Sequence, residues 1–395
     1  MCLAPLLASL VSATVTADSA LASSFDFHTR DRVVLVGDAL IERDARYGWL
    51  ETRLTLDNAA KNLTFRNLGW SGDTVAGLSR AGFDPPEAGF RQLVDQIKAA
   101  SPTVIVFGYG MADSFEGKAG LDHFIKGYER LLDAVAPTKA RLVVLSPIAH
   151  EDHGPPLPDP APHNRMLELY TQAVGSIARR RGAFYVDLFT PTRVKRPRWL
   201  TDNGIHFTEK GYQVMADLVA GALEGRPGSV APFVEITQGG KATTSDHLQV
   251  RSLHVEPGRI RFTLIRGLPG EPPPRVAVAG LKPGRYRLAV EGRVVADGSA
   301  ETWAGGILVE AGPDHDQIER LRTRIQRKNV LFFDRWRPQN ITYLFGFRKH
   351  EQGNNAVEIP RFDPLIADAE REIQALSGLV PRVYELKLGD EEQSR

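Results

Sequence analysis

Cysteine is almost absent from this 395-residue chain, the single one being Cys2. That excludes an intrachain disulfide and any cysteine metal cage, so nothing in the composition demands an oxidising compartment. A surplus of either charge is also missing, since 49 Lys and Arg against 48 Asp and Glu leave a formal net charge of +1. Without a basic excess, nucleic acid is not an expected partner. Long apolar runs are lacking too. The first 22 residues, MCLAPLLASLVSATVTADSALA, are too short and too interrupted in their apolar part to span a bilayer. They end in Ala20-Leu21-Ala22, which suits a signal-peptidase site, but no Lys or Arg precedes Arg30. Residues 1–24 are expected to be a signal peptide or a disordered N-terminus. The first implies a secreted or periplasmic protein, the second a cytoplasmic one.

What is present is an alternation. Short apolar runs (RVVLVG, LTFRNLG, TVIVFGYG, RLVVLSP, AFYVDLF) recur between residue 32 and about residue 190, bounded by turn residues, as strands buried on both faces require. Between them lie amphipathic stretches. Phe90, Leu93, Val94 and Ile97 share one helical face, and further helices are expected over roughly residues 47–57, 118–135, 161–181 and 208–223. Strand and helix repeated five times predict an α/β domain, residues 25–225, with a parallel five-stranded sheet between two helical layers. In such folds the chemistry gathers at the carboxyl ends of the strands.

Beyond residue 225 the pattern changes to short β-rich segments with Gly/Pro turns such as EPPPR and LKPG. Residues 226–315 are therefore expected to be a β-rich accessory region. A helical period returns near Asp316, with Ile318, Leu321 and Ile325 on one face, and again over 363–377. Residues 316–395 are expected to form a helical and loop extension packed on the first domain.

Four loop segments carry the residues of interest. Gly37-Asp38-Ala39-Leu40 follows the first strand, Asn67-Leu68-Gly69-Trp70-Ser71-Gly72-Asp73 the second and Gly108-Tyr109-Gly110-Met111-Ala112-Asp113 the third, while Thr201-Asp202-Asn203-Gly204-Ile205-His206 precedes the last helix of the domain. In this order they resemble the four blocks of the SGNH, or GDSL-type, hydrolase family, and among its members the planctomycete-type proteins with a long C-terminal extension. The resemblance implies a three-layer flavodoxin-like domain and ester hydrolysis without a cofactor or metal. It implies a serine nucleophile at position 39, oxyanion donors at 39, 72 and 112, and a base at 206. Here those positions hold Ala39, Gly72, Ala112 and His206, and the aspartate expected three residues before the histidine is Asn203, with Asp202 one residue further away.

A methyl group has no proton for a histidine to take and no lone pair for attack, which excludes acyl-enzyme chemistry through position 39. Three explanations stay open: a degenerate member that binds without turnover, an active enzyme with both side chains replaced, or chemistry through another group. For the last, Asp38, Ser71, Asp73, Asp113 and water activated by His206 are candidates. Each has a plainer role as well. Ser71 suits a turn, and Asp73 and Asp113 suit helix caps. The run His150-Glu151-Asp152-His153 lacks the spacing of a zinc site and is better suited to substrate contact through His150. Trp336, Arg337 and Arg348 join aromatic surface to bidentate donors, which fits either carbohydrate recognition or a domain clamp. The function expected is that of an ester hydrolase, a carbohydrate (acetyl) esterase in impaired or altered form, acting on a small-molecule or carbohydrate ester. The alternative is a silent carbohydrate- or partner-binding module on the same scaffold.

Overall fold

The computed structural model describes residues 24–194, 199–226, 232–267, 270–351 and 353–389, so the expected N-terminal signal segment lies outside the described residues. The apolar runs form parallel strands β1 (Arg32–Gly37), β2 (Thr64–Asn67), β3 (Val104–Gly108), β4 (Arg141–Leu145) and β5 (Phe184–Val186), in the order β2-β1-β3-β4-β5. Helices flank them: α1 (Ala39–Tyr47), α2 (Trp49–Asp57), the short α3 (Leu78–Ala81), α4 (Pro86–Ala99), α5 (Gly117–Val135), α6 (Ala161–Arg181), the short α7 (Phe189–Thr192) and α8 (Glu209–Leu223). Two apolar cores, one per sheet face, place successive strand residues alternately: Val34 and Val36 in one, Val33 and Leu35 in the other. This is the three-layer α/β architecture expected from the strand pattern.

The first connection differs from its expectation. What reads in sequence as a turn followed by a helix from residue 47 is a helix that starts at once, at Ala39, with the Asp38 side chain capping Leu40 N. Gly48, at φ +71°, then breaks the chain into α1 and α2. Starting the helix at residue 39 has a further effect: it brings Glu42 and Arg43, one turn on, to the same edge as the loops.

The accessory region is a β-sandwich. Strands β6 (Phe233–Thr237), β7 (Ala242–Thr244), β10 (Arg275–Ala279) and β13 (Ile307–Leu308) form one sheet; β8 (Leu248–Glu256), β9 (Arg259–Arg266), β11 (Arg285–Val290) and β12 (Arg293–Ser299) belong to the other. Val234, Ile236, Val276 and Val278 of the first share a core with Ile260, Phe262, Leu264 and Leu288 of the second. The short α9 (Ala300–Gly305) plugs one end with Trp303, whose Nε1 donates to Tyr286 O at 3.1 Å.

The chain then returns to the first domain through α10 (Pro313–Trp336), α11 (Ile341–Leu344) and α12 (Phe362–Ser377). Leu321 and Ile325 of α10 pack with Ile373 of α12 against Leu56 of α2. Lys328, fully buried, bonds Glu51 Oε2 at 2.8 Å and Phe65 O at 3.2 Å. The last strand, β14 (Arg382–Leu388), departs from the expected layout: it does not join the helical extension but enters the sandwich between β11 and β9. Its alternating buried residues Tyr384 and Leu386 complete that core, a period-two signal too short to stand out beside the neighbouring helix.

Candidate active site

The carboxyl ends of β1 and β3 and the segment before α8 meet at a cavity of about 10 Å³, lined among others by Asp38, Ala39, Tyr109, Met111, Ile205 and His206. A space of that size holds about one water. Ala39 and His206 thus share one cavity. Ala112 stands beside it, its N–H 3.4 Å from Asp38 Oδ2, and Gly72, at φ +73°, is not part of the lining.

The loop carrying His206 is held by a dense set of hydrogen bonds. Glu151 accepts from Leu200 N at 2.9 Å and from Thr201 N and Oγ1 at 2.8 and 2.6 Å, while its own N–H donates to Gly204 O. His153 stacks on Trp199 and contacts Thr201 Oγ1 at 2.9 Å. Glu151 and His153 of the His150-Glu151-Asp152-His153 run therefore position the last block.

Within that block Asn203, not Asp202, reaches the base. Asn203 Nδ2 lies 3.0 Å from His206 Nδ1, and Asn203 Oδ1 accepts from Ile205 N and His206 N at 3.1 and 2.9 Å. Two backbone donors on Oδ1 fix which way the amide points, so its N–H is directed at Nδ1. Nδ1 must then accept, and the neutral ring carries its proton on Nε2. Asp202 instead pairs with Arg43, Nη2 to Oδ2 3.3 Å. Burial lowers the His206 pKa from its ordinary value, and the Arg43 charge adds to the effect.

Behind the cavity three carboxylates are buried together. Asp73 accepts from Arg80 Nε at 2.8 Å, Tyr109 OH at 3.0 Å and Ser79 N at 3.2 Å, so it faces inward rather than toward a substrate. Asp113 is also turned inward: Oδ1 accepts from Val75 N at 3.3 Å and Oδ2 has no partner. Burial pushes Asp38 up to about 7, helped by the Asp73 charge, and Asp113 up to about 8, helped by Asp38. An orphaned buried oxygen is consistent with a carboxyl group that keeps its proton.

The remaining candidates are spread out. His150 stacks on His163 at 4.8 Å, and burial with the nearby His163 and His206 lowers it to about 4, leaving a neutral ring whose Nε2 is buried without a partner. Ser71 binds Glu42 through both N–H and Oγ. Glu42 in turn accepts from Arg337 Nη1 at 2.8 Å, and the Arg337 guanidinium lies 3.5 Å from the Trp70 ring centroid. Trp336 meets Trp70 edge to face at 5.9 Å. Neither Trp336 nor Arg337 lines the His206 cavity; both close the return of α10 onto the second loop. Arg348 is exposed and pairs with Glu351 three residues on. Sequence reasoning missed Glu42, Arg43 and Trp70. An α1 beginning at Ala39 was the signal that would have placed the first two.

Residues 36–214 match the GDSL-like lipase/acylhydrolase family. The α/β domain belongs to that family. Among solved structures, a gut microbial diltiazem-metabolizing enzyme is similar over 93% of this chain and 100% of its own, with TM-score 0.67 and 16% identity. At that identity the likeness establishes the shared fold, including the β-sandwich and the helical return. An α/β hydrolase from the metagenome of Lake Arreo, Spain, is similar over 50% of this chain and 96% of its own (TM-score 0.39, 20% identity). Axe2, an acetylxylan esterase from Geobacillus stearothermophilus, covers 50% and 95% (TM-score 0.39, 16% identity). No curated protein matches the chain significantly. Among the described residues of the acylhydrolase domain and its extensions, no helix is long and apolar enough to cross a membrane.

Proposed function

We propose that the acylhydrolase domain is catalytically silent by the serine route and that the protein acts as a binding module on this scaffold. The observation that carries the reading is the contact between Asn203 and His206 beside Ala39. A base for acyl transfer must present an unprotonated Nε2 to its nucleophile, which an aspartate secures by accepting from Nδ1–H. Asn203 enforces the opposite tautomer, and Ala39 removes the hydroxyl that the base would serve. Ala112 supplies no side-chain donor to a developing oxyanion.

The experiment is hydrolysis of 4-nitrophenyl acetate by the native protein and by His206→Ala. Equal rates at the level of buffer are expected. Saturable turnover that disappears with His206→Ala would overturn the reading.

A further inference from the structure

A cleft of about 510 Å³ opens where α2 and α8 of the acylhydrolase domain meet the sandwich and the start of α10. Its volume falls in the ~300–1,000 Å³ range of small-molecule sites, which favour domain junctions. Its apolar lining includes Trp49, whose ring has the Arg322 guanidinium 4.7 Å from its centroid, with Leu56, Ile318 and the run Pro272-Pro273-Pro274.

The charges around it are unequally matched. Each of four acidic wall residues already has a cation: Asp217 is held by Arg53 at 2.6 Å, Glu271 by Arg226 at 3.0 Å, Asp314 by Arg382 at 2.8 Å and Glu319 by Arg322 at 2.7 Å. The fifth, Glu310, is exposed at the rim. Among the described residues the wall cation Arg266 makes no ion pair within 4 Å, and the carboxylates of Asp314, Glu271 and Asp57 act on it only from further away. Its Nη2 donates to the backbone carbonyls of Glu271 and Pro272, its Nε is buried without a hydrogen bond, and Nη1 has none among the described residues. Lys210, also on the wall, bonds the neutral Gln213 Oε1 at 2.9 Å and acts on Asp217 through its charge without a close ion pair. A guanidinium held out of water with donors unspent is costly, and a carboxylate meets it with strong, directional hydrogen bonds.

We propose that this cleft binds a small carboxylate with an apolar body, its acid group on the Arg266 guanidinium and its body against Trp49 and the proline run. The site is independent of the His206 cavity.

Isothermal titration of the full chain with 4-phenylbutyrate, 4-phenylbutanol and 4-phenylbutylamine tests the assignment. The carboxylate is expected to bind saturably with Kd below about 1 mM and roughly tenfold tighter than the alcohol, the advantage of a charge-assisted hydrogen bond. Arg266→Gln should erase that advantage. Because this variant loses backbone contacts as well, a second readout is the quenching of tryptophan emission by 4-phenylbutyrate, expected in the native chain and lost in Trp49→Phe. No saturable binding of 4-phenylbutyrate, equal or tighter binding of the alcohol or the amine, or quenching that survives in Trp49→Phe would each overturn the proposal.

Discussion

The side-chain amide of Asn203 donates to Nδ1 of His206 across 3.0 Å, and it cannot turn over without leaving the backbone N–H groups of Ile205 and His206 unpaired. One atom, an amide nitrogen in place of a carboxylate oxygen, thereby reverses the hydrogen-bond direction at the base. In serine proteases the corresponding Asp→Asn change preserves geometry yet lowers kcat by ~10⁴ through the wrong tautomer.

Restoring the nucleophile alone is therefore insufficient. Ala39→Ser is expected to leave 4-nitrophenyl acetate hydrolysis within a few-fold of the native background. A His206-dependent gain of ~10³ or more would show that the ring can serve as a base despite Asn203.

The buried pair Lys328–Glu51 fastens α10 to α2, with side chains 0% and 5% exposed. Lys328→Met strands the Glu51 carboxylate and is expected to cost about 3–5 kcal/mol in urea unfolding, whereas Lys328→Met with Glu51→Leu should recover most of it. Equal losses in the single and double variants would mean that packing, not charge, holds this contact.

Much of the fold was legible because its signals are local. Continuous apolar runs mark strands buried on both faces, and the 3.6 period of Phe90, Leu93, Val94 and Ile97 marks α4. Strand β14 was not legible, since its neighbours β9 and β11 lie about a hundred residues away and its own pattern is seven residues long. Within the site, the four blocks could be aligned on the chain, but the choice between Asp202 and Asn203 could not be made. That choice depends on Arg43, which only the early start of α1 brings within 3.3 Å of Asp202.

The carboxylates behind the cavity predict a pH dependence. Asp38 at about 7 and Asp113 at about 8 lie above their unfolded value of 3.8, so between these limits the folded state holds protons that the unfolded state has lost. Their contribution to stability is complete below the unfolded pKa and is lost as pH rises through about 7 to 8. Asp113→Asn should flatten the decline in unfolding free energy between about pH 5 and pH 8. An unchanged slope would show that Asp113 is ionised in the native protein.

Arg337 is expected to act as a clamp. Its ion pair with Glu42 and its stacking on Trp70 are partly exposed, so Arg337→Ala should cost about 1–2 kcal/mol of stability. Binding of 4-phenylbutyrate at the interdomain cleft should be unaffected. A large change in that affinity with no change in stability would contradict the clamp.

The most direct test of the silent-site account is the tautomer of His206, read by long-range nitrogen-15 NMR of the ring in the native protein at neutral pH. The account predicts a proton on Nε2 with Nδ1 bare, and a transfer of that proton to Nδ1 in Asn203→Asp. A native ring protonated on Nδ1 would contradict it, because His206 would then present Nε2 as a base and the site would lack only the side chains missing at Ala39 and Ala112.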